Sequence, residues 1–170
     1  MGLNNGTVHL ENNYLIWKNM FNTECNNLRK IFKNIEISIE HVGSTSVKDL
    51  SAKPIVDIAI GINNFFDIDK VIEELKKIYT IKVNKVDNEI LLIKEDDKET
   101  YFIIHILEIN SERYKNMILL RDILNKDSNI KKEYEILKQS LAKKYYNDRK
   151  MYTKAKNDFI QKIIEKNNNN

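Results

Sequence analysis

The stretch that most constrains this chain is Ile55-Val56-Asp57-Ile58-Ala59-Ile60-Gly61-Ile62, a largely β-branched apolar run interrupted by one carboxylate. Such a run suits a central strand whose two faces are both covered, which requires helices or loops above and below a sheet. Side chains alternate along a strand, so Asp57 shares a face with Ala59 and Gly61, while Ile58 and Ile60 point to the other side. Burying an unpaired carboxylate there would cost several kcal/mol. A divalent cation, the ammonium of Lys53 four residues earlier, or a ring of backbone donors would each supply the partner Asp57 needs. The small neighbours on its face leave room for a pocket.

The rest of the pattern builds around that strand. Tyr14, Trp17, Phe21, Cys25, Leu28 and Phe32 recur at steps of three and four, which predicts an amphipathic helix over 11–33. Ile35, Ile37 and Ile39 alternate with Glu36, Ser38 and Glu40, the mark of a strand with one wetter face running into Gly43. Ile68, Val71, Ile72, Leu75 and Ile78 predict a second helix, opened by Asp67 as a capping residue. Strands follow at 80–84, 89–94 and 101–109, with turns at Asp87-Asn88 and at Glu95-Asp96-Asp97-Lys98. From Ser111 the periodicity is helical only, in three successive stripes through Leu120, Leu137 and Phe159, with Ser111 and Ser128-Asn129 as caps. The asparagines 167–170 cannot bury apolar area and are expected to form a disordered tail. With no repeat and no linker composition, the chain reads as one domain over 1–166, with strands and helices to about 109 and a helical part over 111–166.

Composition narrows the function. Twenty-eight basic residues against 25 acidic ones give a net charge of only +3, so general nucleic-acid binding is not implied. Only Arg29, Arg113, Arg121 and Arg149 carry a guanidinium suited to bidentate phosphate contacts. Cys25 has no partner cysteine and lies on the first helix's apolar stripe, the place of a buried structural thiol. No stretch approaches the ~20 apolar residues of a membrane helix. The polar N-terminal region lacks a signal peptide's apolar core, and Gly6 stands where myristoylation needs Ser or Thr. The expected location is the cytoplasm.

Chemistry concentrates in His41-Val42-Gly43-Ser44-Thr45-Ser46. Gly43-Ser44 after a strand can turn the backbone sharply, leave amides open and present the hydroxyls of Ser44, Thr45 and Ser46 to phosphate oxygens. The same residues also make an ordinary loop. His105, between Ile103 and Leu107 on one strand face, suits phosphate binding, metal ligation or a core histidine bonded to backbone. His41 carries the same ambiguity and can brace the loop instead. Lys53 approaches the Asp57 strand through Pro54, directed at a pocket or into solvent. Arg149, Thr153 and Lys156 share a helical face, which with Arg121 forms either a basic wall or a solvated surface.

At this point the sequence resembles the GrpB family, an uncharacterised protein family with a nucleotidyltransferase-like fold. The resemblance rests on Glu40-His41-Val42-Gly43-Ser44-Thr45-Ser46-Val47, on Leu50-Ser51-Ala52-Lys53-Pro54-Ile55-Val56-Asp57-Ile58, and on the spacing between them. It extends to His105-Ile106-Leu107, to Leu120-Arg121-Asp122-Ile123-Leu124 and to the pattern from Tyr134 to Ile160. It implies an α+β fold, a nucleotidyltransferase-like mixed β-sheet with flanking helices and a C-terminal helical part. In the nucleotidyltransferase superfamily a Gly-Ser turn precedes a strand whose two alternating acids hold magnesium. The resemblance therefore places Gly43, Ser44 and Asp57 in those roles, with Asp57 as the magnesium ligand. Ala59 occupies the second acid position, and a methyl group cannot coordinate a cation.

The expectation that follows is a nucleotide or related phosphate ligand held by His41, Gly43, Ser44, Thr45, Ser46, Lys53, Arg121 and Arg149. Asp57 and His105 would carry out magnesium-dependent nucleotidyl transfer, and whether another carboxylate, such as Glu40 or Glu89, folds back beside Asp57 is left to the tertiary structure. The alternative is a non-catalytic nucleotide- or coenzyme-binding module, in keeping with the family's occurrence fused to dephospho-coenzyme A kinase. A third reading makes the loop structural and gives the helical surface to a protein partner.

Overall fold

The computed structural model describes residues 2–4, 6–65, 68, 71–84 and 89–168. Its centre is a mixed sheet of six strands, β1 (Leu3–Asn4), β2 (Ile37–Val42), β3 (Val56–Ile62), β4 (Thr80–Asn84), β5 (Glu89–Glu95) and β6 (Glu99–Glu108). Five of them run in the order β2-β3-β6-β5-β4, and β1 pairs with the start of β6. β3 and β6 are parallel, with Asp57 opposite Ile103 and Ala59 opposite His105, and every other pairing is antiparallel. The β-branched run 55–62 thus supplies a central strand, as its apolar continuity requires.

One face of the sheet is closed by α1 (Tyr14–Ile31) and α2 (Ile72–Lys76). Ile58, Ile60, Leu92, Ile104 and Ile106 pack there beneath Trp17, Leu28 and Leu75, all without exposed surface. Burial of this kind contributes roughly 2 kcal/mol per large aliphatic side chain. Glu24 is buried in the same layer because the Tyr79 hydroxyl donates to it at 2.7 Å and Lys94 at 2.9 and 3.0 Å. The opposite face carries α3 (Glu112–Lys126), α4 (Ser128–Lys144), α5 (Arg149–Ala155) and α6 (Asn157–Asn168). Val42, Ala59, Leu107 and Tyr114 form a small core under α3, and Val47, Leu50, Leu124 and Tyr134 form a second one further along.

Four closing helices replace the three expected. The last stripe is interrupted at Lys156, whose N–H bonds the Lys154 carbonyl instead of reaching back four residues. The cap of α4 also moves. Asp127, not Ser128-Asn129, accepts from the amides of Asn129 and Ile130, because a carboxylate one residue earlier already satisfies those donors. Ser111 caps α3 as expected, accepting from the Tyr114 amide, and Asp96 closes the β5–β6 turn through the amides of Lys98 and Glu99. Strand β1 had no apolar periodicity to announce it. The helix α6 runs through Asn168, so Asn167 and Asn168 are helical where a disordered tail was expected, and the Asn167 side-chain amide secures that turn on the Ile163 carbonyl. Asp67, the Asp87-Asn88 turn and residues 169–170 lie outside the described residues. No described helix is long and apolar enough to cross a membrane.

Candidate anion-binding cleft

The turn after β2 is built on Gly43, whose φ of 69° disfavours any residue with a Cβ. A Cβ added there would also collide with Asp57 Oδ2. Backbone conformation and proximity thus demand glycine together, and they place the Asp57 carboxylate against the turn. Residues Ser44–Ser46 form one turn of 3-10 helix. The Ser46 hydroxyl donates to the Gly43 carbonyl at 2.6 Å, and the Thr45 hydroxyl lies 3.1 Å from His41 Nε2. Ser44 hydrogen-bonds Tyr134, whose buried hydroxyl is pushed up to about 12. The three hydroxyls therefore brace the loop, whereas the Ser44 and Thr45 amides have no acceptor among the described residues. Free amides at the start of a helical turn are the donors an anion would use.

A cleft of about 870 Å³ opens beside this turn, between the sheet and the helices α3, α5 and α6. Gly43, Ser44, Thr45, Lys53, Asp57, His105, Arg121, Arg149 and Lys156 all line it. Burial raises the Asp57 pKa, opposed by the charges of His105, Lys53 and Lys156. Lys53 is pushed down to about 8, first by burial and then by Lys156 and Arg149, with Asp57 acting the other way. Burial lowers Lys156 as well, again opposed by Asp57. The two ammonium groups lie over the Tyr152 ring, 5.5 Å and 4.7 Å from its centroid. No ion pair or hydrogen bond engages the Asp57 carboxylate among the described residues. Two half-buried cations thus share the field of one carboxylate.

The remaining candidates divide by what already occupies them. His41 stacks on Phe21 at 4.7 Å, and burial with the Arg121 charge lowers it to about 4, so it is a neutral brace outside the cleft lining. Arg121 bonds Glu40 at 2.6 Å, Asp122 at 2.8 Å and the His41 carbonyl at 3.1 Å. Arg149 donates to the carbonyls of Leu3, Asn4 and Thr7 and to the Thr100 hydroxyl. Both arginines border the cleft with most of their donors directed into the protein.

His105 Nδ1 lies 2.5 Å from Glu89 Oε1, and Arg113 holds the other Glu89 oxygen at 3.2 Å. Burial pushes Glu89 upward, but the His105 bond and charge, with Arg113, hold it below the usual carboxylate range. This pairing and the role of Lys156 as an equal of Lys53 were not expected from sequence. The only signals were the acid heading an otherwise apolar strand and a lysine on the Arg149 face.

The GrpB protein family model matches residues 7–166. The chain belongs to the GrpB family. The glutamate-rich protein GrpB of Alkalihalophilus pseudofirmus is 34% identical over 96% of this chain and 98% of its own length. The crystal structure of the conserved protein GrpB from Enterococcus faecalis superimposes with a TM-score of 0.81 at 26% identity, covering 88% of this chain and 91% of that one. The structure of Cid1 in complex with its short product ApU matches with a TM-score of 0.55 at 16% identity, over 79% of this chain and 43% of that one. The last likeness concerns the fold, which is nucleotidyltransferase-like.

Within this GrpB chain the donors around Asp57 do not fit a magnesium ion. Ala59 is fully buried against Val42, Leu107 and Tyr114, so its position has closed over with apolar atoms. Glu40 is turned onto Arg121 and Glu89 onto His105 and Arg113, so both carboxylates are already engaged by other partners. No group of three His, Cys, Asp or Glu with metal-binding geometry occurs among the described residues. A hard dication needs several oxygen ligands, whereas two lysines face this carboxylate.

Proposed function

We propose that this GrpB protein binds a nucleotide or a related phosphate-bearing small molecule in the cleft, through lysines and backbone amides, without transferring a nucleotidyl group. One observation carries this reading. Lys53 and Lys156 converge on the Tyr152 ring beside a single carboxylate, leaving a positive excess under the free amides of Ser44 and Thr45. A phosphate is the natural complement of such a site, since it offers the desolvated ammonium groups the charge that Asp57 alone cannot. We place the protein in the cytoplasm, where such ligands are abundant.

The nucleotidyltransferase-like fold favours a second reading, magnesium-dependent nucleotidyl transfer, which Ala59 weakens by removing a ligand and a negative charge. Titration calorimetry with ATP and UTP, in EDTA and in magnesium, separates the two. The expected result is binding in EDTA, weakened about tenfold or more in Lys156→Met, with no pyrophosphate released. Binding that requires magnesium and is followed by pyrophosphate release would establish transfer instead. No binding in either buffer would remove the cleft as a nucleotide site.

A further inference from the structure

Phosphate binding leaves one constellation unused. His105 lines the cleft with its side chain 13% exposed, and its Nδ1 is committed to Glu89, which is only 3% exposed. An ionised carboxylate can only accept, so Nδ1 is the donor in this bond, and the tautomer it selects carries its lone pair on Nε2. No hydrogen bond engages Nε2 among the described residues. Arg113 fixes the far oxygen of Glu89, so the carboxylate has little freedom to release the ring. His105 shares the lining of the cleft with Asp57, Lys53 and Lys156. His41 shows the opposite arrangement. Its Nε2 is occupied by Thr45, its ring is stacked on Phe21, and it stays out of the cleft.

From this geometry we infer that His105 Nε2 is a phosphoryl acceptor, forming a phosphohistidine from an acyl phosphate or nucleoside triphosphate bound in the cleft. The inference rests on the anion-binding reading above. In the step, the Nε2 lone pair forms the N–P bond while the bond from phosphorus to the leaving oxygen breaks. Acetate or the nucleoside diphosphate departs with that electron pair and requires no proton. The ring becomes cationic and keeps its proton on Nδ1, and the Glu89 carboxylate that accepts this hydrogen bond stabilises the new charge as a carboxylate orients and supports an imidazolium in acyl-transfer enzymes. Lys53, Lys156 and the Ser44 and Thr45 amides neutralise the phosphoryl oxygens, the electrostatic work on which such transfers chiefly depend. Glu89 acts here as a positioning residue and does not touch the donor.

The test incubates the full chain in EDTA with acetyl phosphate and with ATP, each labelled on the transferable phosphoryl group. The expected label is acid-labile and base-stable, adds the mass of one phosphoryl group and maps to His105. It should vanish in His105→Gln and persist in His41→Gln. Glu89→Gln keeps the shape of the pair but removes its charge, and should slow labelling on the order of a hundredfold while leaving nucleotide affinity unchanged. A nearly unchanged rate in Glu89→Gln would overturn the positioning role, and label elsewhere than His105 would overturn the assignment. A donor that binds by calorimetry without labelling overturns phosphoryl capture alone. A donor that neither binds nor labels removes both this inference and the anion-binding reading.

Discussion

The two faces of one strand are built to opposite ends. On one side β3 presents Ile58, Ile60 and Ile62 to α1 and α2, where they pack among aliphatic and aromatic side chains. On the other it presents Asp57, Ala59 and Gly61, and the helices above leave an 870 Å³ cleft over part of that surface. Charge is handled differently as well. Glu24 on the closed face is matched by Tyr79 and Lys94 within 3.0 Å, whereas Lys53, Lys156 and Asp57 on the open face influence one another without a direct pair. The closed face supplies stability, and the open face spends part of it to hold desolvated charges at the cleft.

That division can be broken by substitution. Ile60→Ala on the closed face should cost about 4 kcal/mol by denaturant unfolding, through lost burial and the cavity left behind. Nucleotide affinity should stay unchanged, and a parallel loss of affinity would show that the faces are not separable. The next effect belongs to His41, which ordinarily titrates at 6.5 and falls to about 4 here. The unfolded chain takes up this proton first, so stability should fall as pH drops from 6.5 to 4 and level off below that. The His41 share of the loss is on the order of 3 kcal/mol. His41→Phe should remove that share, read as a shallower acid limb in unfolding free energy.

Gly43→Ala strains the left-handed turn and forces Asp57 aside, for about 2 kcal/mol of stability. Calorimetry should show nucleotide binding lost with it. The smallest effect has the opposite sign. Lys53→Met should stabilise the protein by about 1 kcal/mol at neutral pH, because it removes a half-buried charge, while it weakens nucleotide binding. In the parent chain the unfolded state keeps the Lys53 proton up to 10.5 whereas the folded state sheds it near 8. Folding stability attributable to Lys53 therefore rises between those values, and the advantage of methionine should disappear by the upper one. A destabilised Lys53→Met would mean that the ammonium is already satisfied without ligand.

Most of the sheet was legible in the chain. The alternation through Ile37 and Ile39 and the run 55–62 each expose a period of two, and Asp57 announced the open face by breaking the second. The loop at Gly43 was legible too, because the turn needs a residue without a Cβ. Three things were hidden because tertiary contacts alone decide them. Arg121 and Arg149 read as free phosphate ligands, yet their donors go to Glu40, Asp122 and the carbonyls of the N-terminal segment. The hydroxyls of Thr45 and Ser46 turned inward. Glu89 and His105 stand sixteen residues apart, and only antiparallel pairing of β5 with β6 brings them together.

The clasp made by Arg149 bears on the order in which the molecule assembles. It grips Leu3 and Asn4, 146 and 145 residues earlier, and β1 itself pairs with β6 near Thr100. During synthesis the first strand must wait unpaired until most of the chain has left the ribosome, and the wall that carries Lys156 can be fastened only after that. Contacts of such long sequence separation form slowly and late. The closed face can therefore be complete while the cleft is still unformed, so the cleft is expected to form in the last step of folding and to be the first part to open when the protein is stressed.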